Sequence, residues 1–126
     1  MPSIKAIPVA LIPAGTAVPA GTNKAGAIGG AVVTDVSTGY GGMLNWRINN
    51  GGALAAPCII QFQDSPDGVN WFDYEIAYSS DLLSGTVTQG PSIPLRIGVK
   101  HLKAIAYGNT TSGCTVEAWV TNVTAL

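Results

Sequence analysis

Residues 61–78 read "QFQDSPDGVNWFDYEIAY". Ser65-Pro66-Asp67-Gly68 at its centre suits a type I turn position by position: Ser at the first place, Pro presetting φ at the second, Asp tolerated at the third, Gly favoured at the fourth. Alternating runs lie on both sides, so the stretch predicts two consecutive antiparallel strands joined by a short connection. Two other readings compete. Asp64, Asp67, Asn70 and Asp73 could supply oxygens to a cation, and Trp71 with the tyrosines could make a sugar platform. A calcium site needs about six to eight oxygens, and a calcium loop of the helix-loop-helix type places acids at every second position with a closing Glu. The spacing Asp64-x-x-Asp67-Gly68-x-Asn70 has neither feature. Phe72, Tyr74, Ile76 and Tyr78 recur with period two, which predicts the core face of a strand, with Asp73 and Glu75 on the other side. The hairpin is therefore the reading adopted, and no residue is assigned to a metal.

The same period recurs outward from this hairpin. "GGMLNWRINN" (41–50) puts Leu44, Trp46 and Ile48 on one face and Met43, Asn45, Arg47 and Asn49 on the other. "PCIIQFQD" (57–64) turns Cys58, Ile60 and Phe62 inward and Gln61 and Gln63 outward. "AVVTDVS" (31–37) is short and β-branched. "GTVTQGPSIPL" (85–95) is a broken strand whose Pro91 and Pro94 place it at an edge or bend. "VKHLKAIAYG" (99–108) and "CTVEAWVTNV" (114–123) make a last hairpin across "NTTSG". In the final strand Cys114, Val116, Ala118 and Val120 face inward and Thr115, Glu117, Trp119 and Thr121 outward. "SSDLLSG" (79–85) predicts one short helical turn, capped by Ser80 or Asp81. The expected fold is all-β: an antiparallel β-sandwich, jelly-roll or immunoglobulin-like, with an extended N-terminal arm.

That arm is residues 1–30, ahead of a sandwich domain over 31–126. Pro2, Pro8, Pro13 and Pro19 forbid a helix there, and "PAGT" occurs twice. Ile4, Ile7, Val9, Leu11 and Ile12 give the segment more apolar load than a flexible linker carries. It is either a first strand of the same domain or an arm laid on a neighbouring subunit. In the second case these five residues form a partner interface. Trp119 joins them as a candidate: an outward indole among Thr and Glu is covered either by the chain's own arm or by a partner.

Composition narrows the function classes. Charged residues make up 10% of the 126-residue chain, against about 25% in an ordinary soluble protein. Apolar residues at 47% exclude a disordered chain, and sixteen Gly with eight Pro imply many turns. A net charge of −1 leaves no electrostatic footprint for nucleic acid or an anionic membrane. No run reaches the roughly 18 apolar residues of a membrane-spanning helix, and Pro8 and Pro13 interrupt what would be a signal-peptide core. Cys58 and Cys114 sit in alternating apolar runs and read as buried reduced thiols, a disulfide between neighbouring strands being the other reading. Asn109-Thr110-Thr111 and Asn122-Val123-Thr124 match the glycosylation triplet without any further sign of secretion.

Catalytic chemistry finds little purchase. His101 has Val99, Lys103 and Ile105 as face partners, and no Ser lies in a nucleophile-elbow setting. Asp73 and Glu75 would be about 7 Å apart on one strand face, near the glycosidase range, but without a cleft between them. No catalytic and no cofactor-binding residue is assigned, and no cofactor is expected.

"QFQDSPDGVNWFDY" followed by "VKHLKAIAYGNTTSGCTVEAWV" resembles the small β-sandwich virion proteins of tailed bacteriophages. The shared pattern is a strand, an S-x-DG-x-NW turn, a second strand, a V-K-x-L/V-K/R strand and a final strand, over about residues 57–122. The resemblance implies a non-enzymatic structural protein, foremost a capsid decoration (cement) protein stabilising joints between major capsid subunits. It also implies a homotrimer, the major capsid protein as partner, synthesis in the host cytoplasm and a place on the capsid exterior. A carbohydrate-binding module and a tail or fibre component are the alternatives.

Overall fold

The computed structural model describes residues 5–34, 41–90, 92–96 and 98–125. Among these the chain forms ten strands and no helix: β1 (Lys5–Val18), β2 (Ile28–Gly29), β3 (Val33–Thr34), β4 (Gly42–Asn50), β5 (Ile59–Ser65), β6 (Phe72–Tyr78), β7 (Val87–Thr88), β8 (Ile93–Leu95), β9 (His101–Tyr107) and β10 (Cys114–Ala125). All pairings are antiparallel. One sheet runs β1-β10-β4-β7, with β8 also on β4; the other runs β2-β9-β5-β6, with β3 also on β9. The protein is a β-sandwich, as its alternating runs predict. Residues 35–37 of the expected 31–37 strand lie outside the described residues.

The two sheets are held by their inner faces. The first contributes Leu44 and Ile48 from β4, Val116, Ala118 and Val120 from β10, and Leu11, Ile12 and Val18 from β1. The second contributes Ile60 and Phe62 from β5 and Leu102, Ala104 and Ala106 from β9. Large residues lie beside small ones across the ladders: Phe62 is opposite Ala104, and Trp46 is opposite Ala118. That arrangement lets the bulky rings fill the gap between sheets without pushing the strands apart. Each fully buried aliphatic or aromatic side chain contributes about 1.5–3 kcal/mol of transfer free energy.

Most of the described N-terminal segment, Lys5–Val18, is a strand of this sandwich, the first of its two readings. β1 pairs along its length with β10, from Lys5 opposite Ala125 to Val18 opposite Cys114. Its prolines are tolerated because β1 is an edge strand, with one side free of ladder bonds. Leu11 and Ile12, candidates for a partner contact, are instead fully buried in the chain's own core. Neighbouring residues of a regular strand cannot both face inward. Here the register skips from Ala10 opposite Trp119 to Ile12 opposite Ala118, leaving Leu11 as a bulge. The bulge carries the Leu11 backbone against Gly30, where any side chain would collide with the Leu11 carbonyl oxygen. This contact closes one flank of the sandwich.

The segment 79–86 forms no helical turn. Asn50, buried at the end of β4, donates through Nδ2 to the carbonyl oxygens of Asp81 (2.7 Å) and Leu83 (3.1 Å) and to Thr86 Oγ1 (2.9 Å). Asp81 Oδ1 accepts from its own Leu83 N–H at 2.9 Å, so the side chain makes a local turn rather than a helix cap. The Asn50 amide takes carbonyls that a helix would need.

Cys58 and Cys114 are both buried and unbridged, and the Cys114 thiol donates to Asn50 Oδ1 at 3.9 Å. Burial, with the Cys114 thiol beside it, pushes Cys58 up from 9.0 to about 12. Burial likewise raises Cys114. A thiol raised in the folded state contributes stability that is intact below its ordinary value and declines as pH climbs toward the folded one. The urea midpoint is therefore expected to fall from pH 9 upward, and to fall less in Cys58→Ala. Neither thiol should react with an aromatic disulfide reagent at pH 8 until the chain unfolds. Fast labelling of the folded protein would contradict this placement.

Candidate functional site

The hairpin 61–78 forms, but its second strand is turned differently from its sequence period. β5 and β6 pair with a one-residue shift: Phe62 lies opposite Glu75 and Gln63 opposite Asp73, leaving Tyr74 as a bulge. One extra residue reverses which side chains face out. Ala77, not Ile76 or Tyr78, is the buried residue, and Ile76 and Tyr78 are each 53% exposed. Phe72 is 59% exposed near the connection. Of the four residues expected in the core, Tyr74 alone packs against it. Its hydroxyl donates to the Pro94 carbonyl (3.2 Å) and accepts from Arg96 N–H (3.0 Å), tying β6 to β8. The same shift separates Asp73 from Glu75: one lies beside outward Gln63, the other beside inward Phe62.

The consequence is an apolar outer face on the second sheet. Reading across the strands, one row is Tyr78–Ile59–Tyr107 and the next Ile76–Gln61–Ile105. Outer faces of sandwiches ordinarily alternate to polar residues. Gln61, the polar member, is only 4% exposed and spends its amide on the Phe62 and Glu75 carbonyl oxygens at 3.1 and 3.0 Å. What remains is aliphatic and aromatic, with Ile76 and Tyr78 exposed and Ile59, Ile105 and Tyr107 half-buried. The next row is charged. Asp73 accepts from Gln63 Nε2 at 2.9 Å and from Lys24 Nζ at 3.1 Å, and the Lys103 ammonium sits 4.3 Å from the centroid of Trp71. The Gln63 and Lys24 bonds hold the Asp73 carboxyl below the usual carboxylate range. An apolar centre with a charged border is the anatomy of a protein interface. The sequence signal for it was present in Ile59, Ile105 and Tyr107, which stand on the parity opposite Ile60, Ala104 and Ala106.

The acids of the connection serve the connection. Asp67 Oδ1 accepts from Val69 N–H and Asn70 N–H, both at 2.8 Å, and from Ser65 Oγ at 3.0 Å; Oδ2 accepts from Asn70 Nδ2 at 2.7 Å. Gly68 takes φ +78, and its N–H donates to Ser65 Oγ at 2.8 Å. The backbone donors of Asn70 and Val69 hold the Asp67 carboxyl far below its ordinary value. A depressed carboxylate contributes stability that is complete above about pH 5 and is lost as pH falls through its folded value. The Asp67 carboxyl carbon resonance is expected to titrate well below the ordinary range, and Asp67→Ala to abolish hydrogen-exchange protection at Val69 and Asn70. A titration midpoint at about 4, the ordinary value, would contradict this.

The other sequence candidates are dispersed. Val9 is 39% exposed on β1. Ile7 pairs its backbone with Asn122; its side chain, and Ile4 altogether, lie outside the described residues. Trp119 faces outward from the first sheet, half-buried, with Ala10 of β1 as lateral neighbour, and its Nε1 donates to Glu117 Oε2 at 3.1 Å. The His101 ring lies against the 65–68 turn, 3.7 Å from where a Gly68 side chain would begin. The competing sugar-platform reading finds its rings engaged: the Lys103 ammonium covers a face of Trp71, and the Arg96 guanidinium lies 4.9 Å from the Tyr74 centroid. Asn109 is fully buried with Nδ2 bonded to the Val18 and Ser112 carbonyl oxygens, so its glycosylation triplet is inaccessible in the folded chain. No group of three or more His, Cys, Asp or Glu among the described residues is placed to hold a metal ion. No protein-family model, curated protein or solved structure matches the chain.

Proposed function

We propose that this chain is a non-enzymatic structural protein of a virion, a decoration protein that seals joints between major capsid subunits from the capsid exterior. The observation that carries the reading is the apolar outer face of the second sheet, centred on Ile59, Ile76, Tyr78, Ile105 and Tyr107. A contiguous apolar patch facing water favours being covered by a partner. The low charge of the chain suits that role, because adhesion through apolar surface is weakly screened by salt. Repeated capsid joints would be served by a homotrimer on a threefold position, following the resemblance to tailed-phage virion proteins. β1 stays within the sandwich in this reading, so the sheet face rather than a swapped arm makes the contact. Electron microscopy of the virion tests it. Density for the sandwich over capsid joints, second sheet inward, is the expected result. Density at the tail or fibres, or none in the particle, would overturn it.

A further inference from the structure

The first sheet carries a second surface feature that adhesion does not use. Glu117 lies opposite Arg47 and Trp119 opposite Asn45 on the neighbouring strands β10 and β4, all on the outer face. Gln89, from the β7–β8 connection, and Trp46 complete a concavity of about 410 Å³. The size falls within the range of about 300–1,000 Å³ typical of small-ligand sites.

The polar side chains are held in place by one another. Trp119 Nε1 donates to Glu117 Oε2 at 3.1 Å; Arg47 Nη1 lies 3.4 Å from Glu117 Oε1; Arg47 Nε donates to Gln89 Oε1 at 3.0 Å; Asn45 Nδ2 donates to Ser92 Oγ at 2.8 Å. Planar hydrogen-bonding groups are thus fixed before any ligand arrives, which lowers the entropy cost of binding. The Gln89 amide nitrogen and the Asn45 carbonyl oxygen have no partner among the described residues, so a donor and an acceptor remain to offer. Gly90 passes so close to the Trp46 ring that any side chain there would overlap it, so the connection lies flat against the indole.

We infer that this concavity is a binding site for a neutral saccharide. A pyranose has an apolar C–H face and a rim of hydroxyls. Its C–H groups, weakly positive, suit the negative face of an indole, and its hydroxyls suit planar amide groups, which donate and accept, and a guanidinium, which donates. Arg47 is already neutralised by Glu117, so the site holds no net charge to attract a phosphate or an acidic sugar. Glu117, with both oxygens engaged, positions Arg47 and Trp119 rather than acting on the ligand.

The three tryptophans of the chain make the test direct. The ¹⁵N-labelled full chain is titrated with a panel of neutral oligosaccharides, acidic oligosaccharides and nucleosides, and the three indole N–H signals are followed. The expected result is that one or more neutral oligosaccharides shift the Trp46 and Trp119 signals saturably and leave Trp71 in place. Trp119→Ala and, independently, Gln89→Ala should each weaken that binding at least tenfold, while Trp71→Ala leaves it within twofold. The inference is overturned if no panel member shifts Trp46 or Trp119 at millimolar concentration. It is overturned equally if nucleosides or acidic sugars saturate in preference, or if both natively folded variants bind as the wild type does.

Discussion

Phe62→Ala is expected to lower the unfolding free energy by about 3–5 kcal/mol, the range for removing a buried phenylalanine ring. Phe62 is the largest fully buried side chain, on the central strand β5 of the second sheet. Across the ladder its partner is Ala104, which has no bulk to slide into the vacancy. Its other partner, Glu75, is exposed on the edge strand and cannot fill an apolar hole without losing its solvation. The cavity therefore persists, and its energy adds to the lost transfer free energy. Urea unfolding should show a lower midpoint at unchanged slope. A cost below about 1 kcal/mol, less than any typical Phe→Ala change in a core, would mean that Phe62 does not lie between the sheets.

Gly30→Ala should cost at least about 3 kcal/mol, beyond the usual cost of overpacking. A methyl group at residue 30 would strike the Leu11 carbonyl oxygen and crowd the Ile12 Cα. These are backbone atoms of a bulge whose two side chains are fully buried, so no rotamer change relieves the clash. Either β1 separates from the flank of the second sheet or Leu11 leaves the core. The adjacent Gly29 is the internal control: a methyl group there meets the Ile105 side chain at 3.5 Å, ordinary van der Waals contact. Gly29→Ala is expected to stay within about 1 kcal/mol of the wild type. Thermal unfolding of the pair checks both. Equal melting temperatures for the two variants would remove the close approach of β1 to the β2–β3 segment.

The inner faces were legible because period two is reliable wherever a strand is regular. Cys58, Ile60 and Phe62, and Cys114, Val116, Ala118 and Val120, are all buried as their alternation predicts. Both departures arise at bulges. In β1 the bulge at Leu11 turns two consecutive residues inward, and in β6 the bulge at Tyr74 turns Ile76 and Tyr78 outward. A bulge is set by what the neighbouring strand and the packed face require. It leaves no periodic mark on its own strand, and each one inverts the parity beyond it. The candidate interface was partly hidden for that reason, since two of its five central residues, Ile76 and Tyr78, lie past the Tyr74 bulge. The proline-rich N-terminal segment left a first strand and a partner-bound arm undecided for a different reason: prolines exclude a central strand but not an edge, and sequence does not say which strand will be at the edge. The Trp46–Trp119 concavity depends on strand order, bringing β4 beside β10, which alternation cannot supply.

The central claim is that the outer face of the second sheet is the adhesive surface, and capsid retention tests it most directly. On the proposed reading, expanded, undecorated capsids are incubated with the wild-type chain and with Ile76→Thr/Tyr78→Thr. The double variant keeps strand propensity and alters two side chains that are half exposed, so its melting temperature should stay within a few degrees of the wild type. Saturable retention of the wild-type chain, nearly constant between 50 mM and 500 mM salt, with retention by the double variant reduced at least tenfold, is the predicted result. No retention of the wild-type chain at any salt, or retention of the double variant equal to it, would contradict the claim.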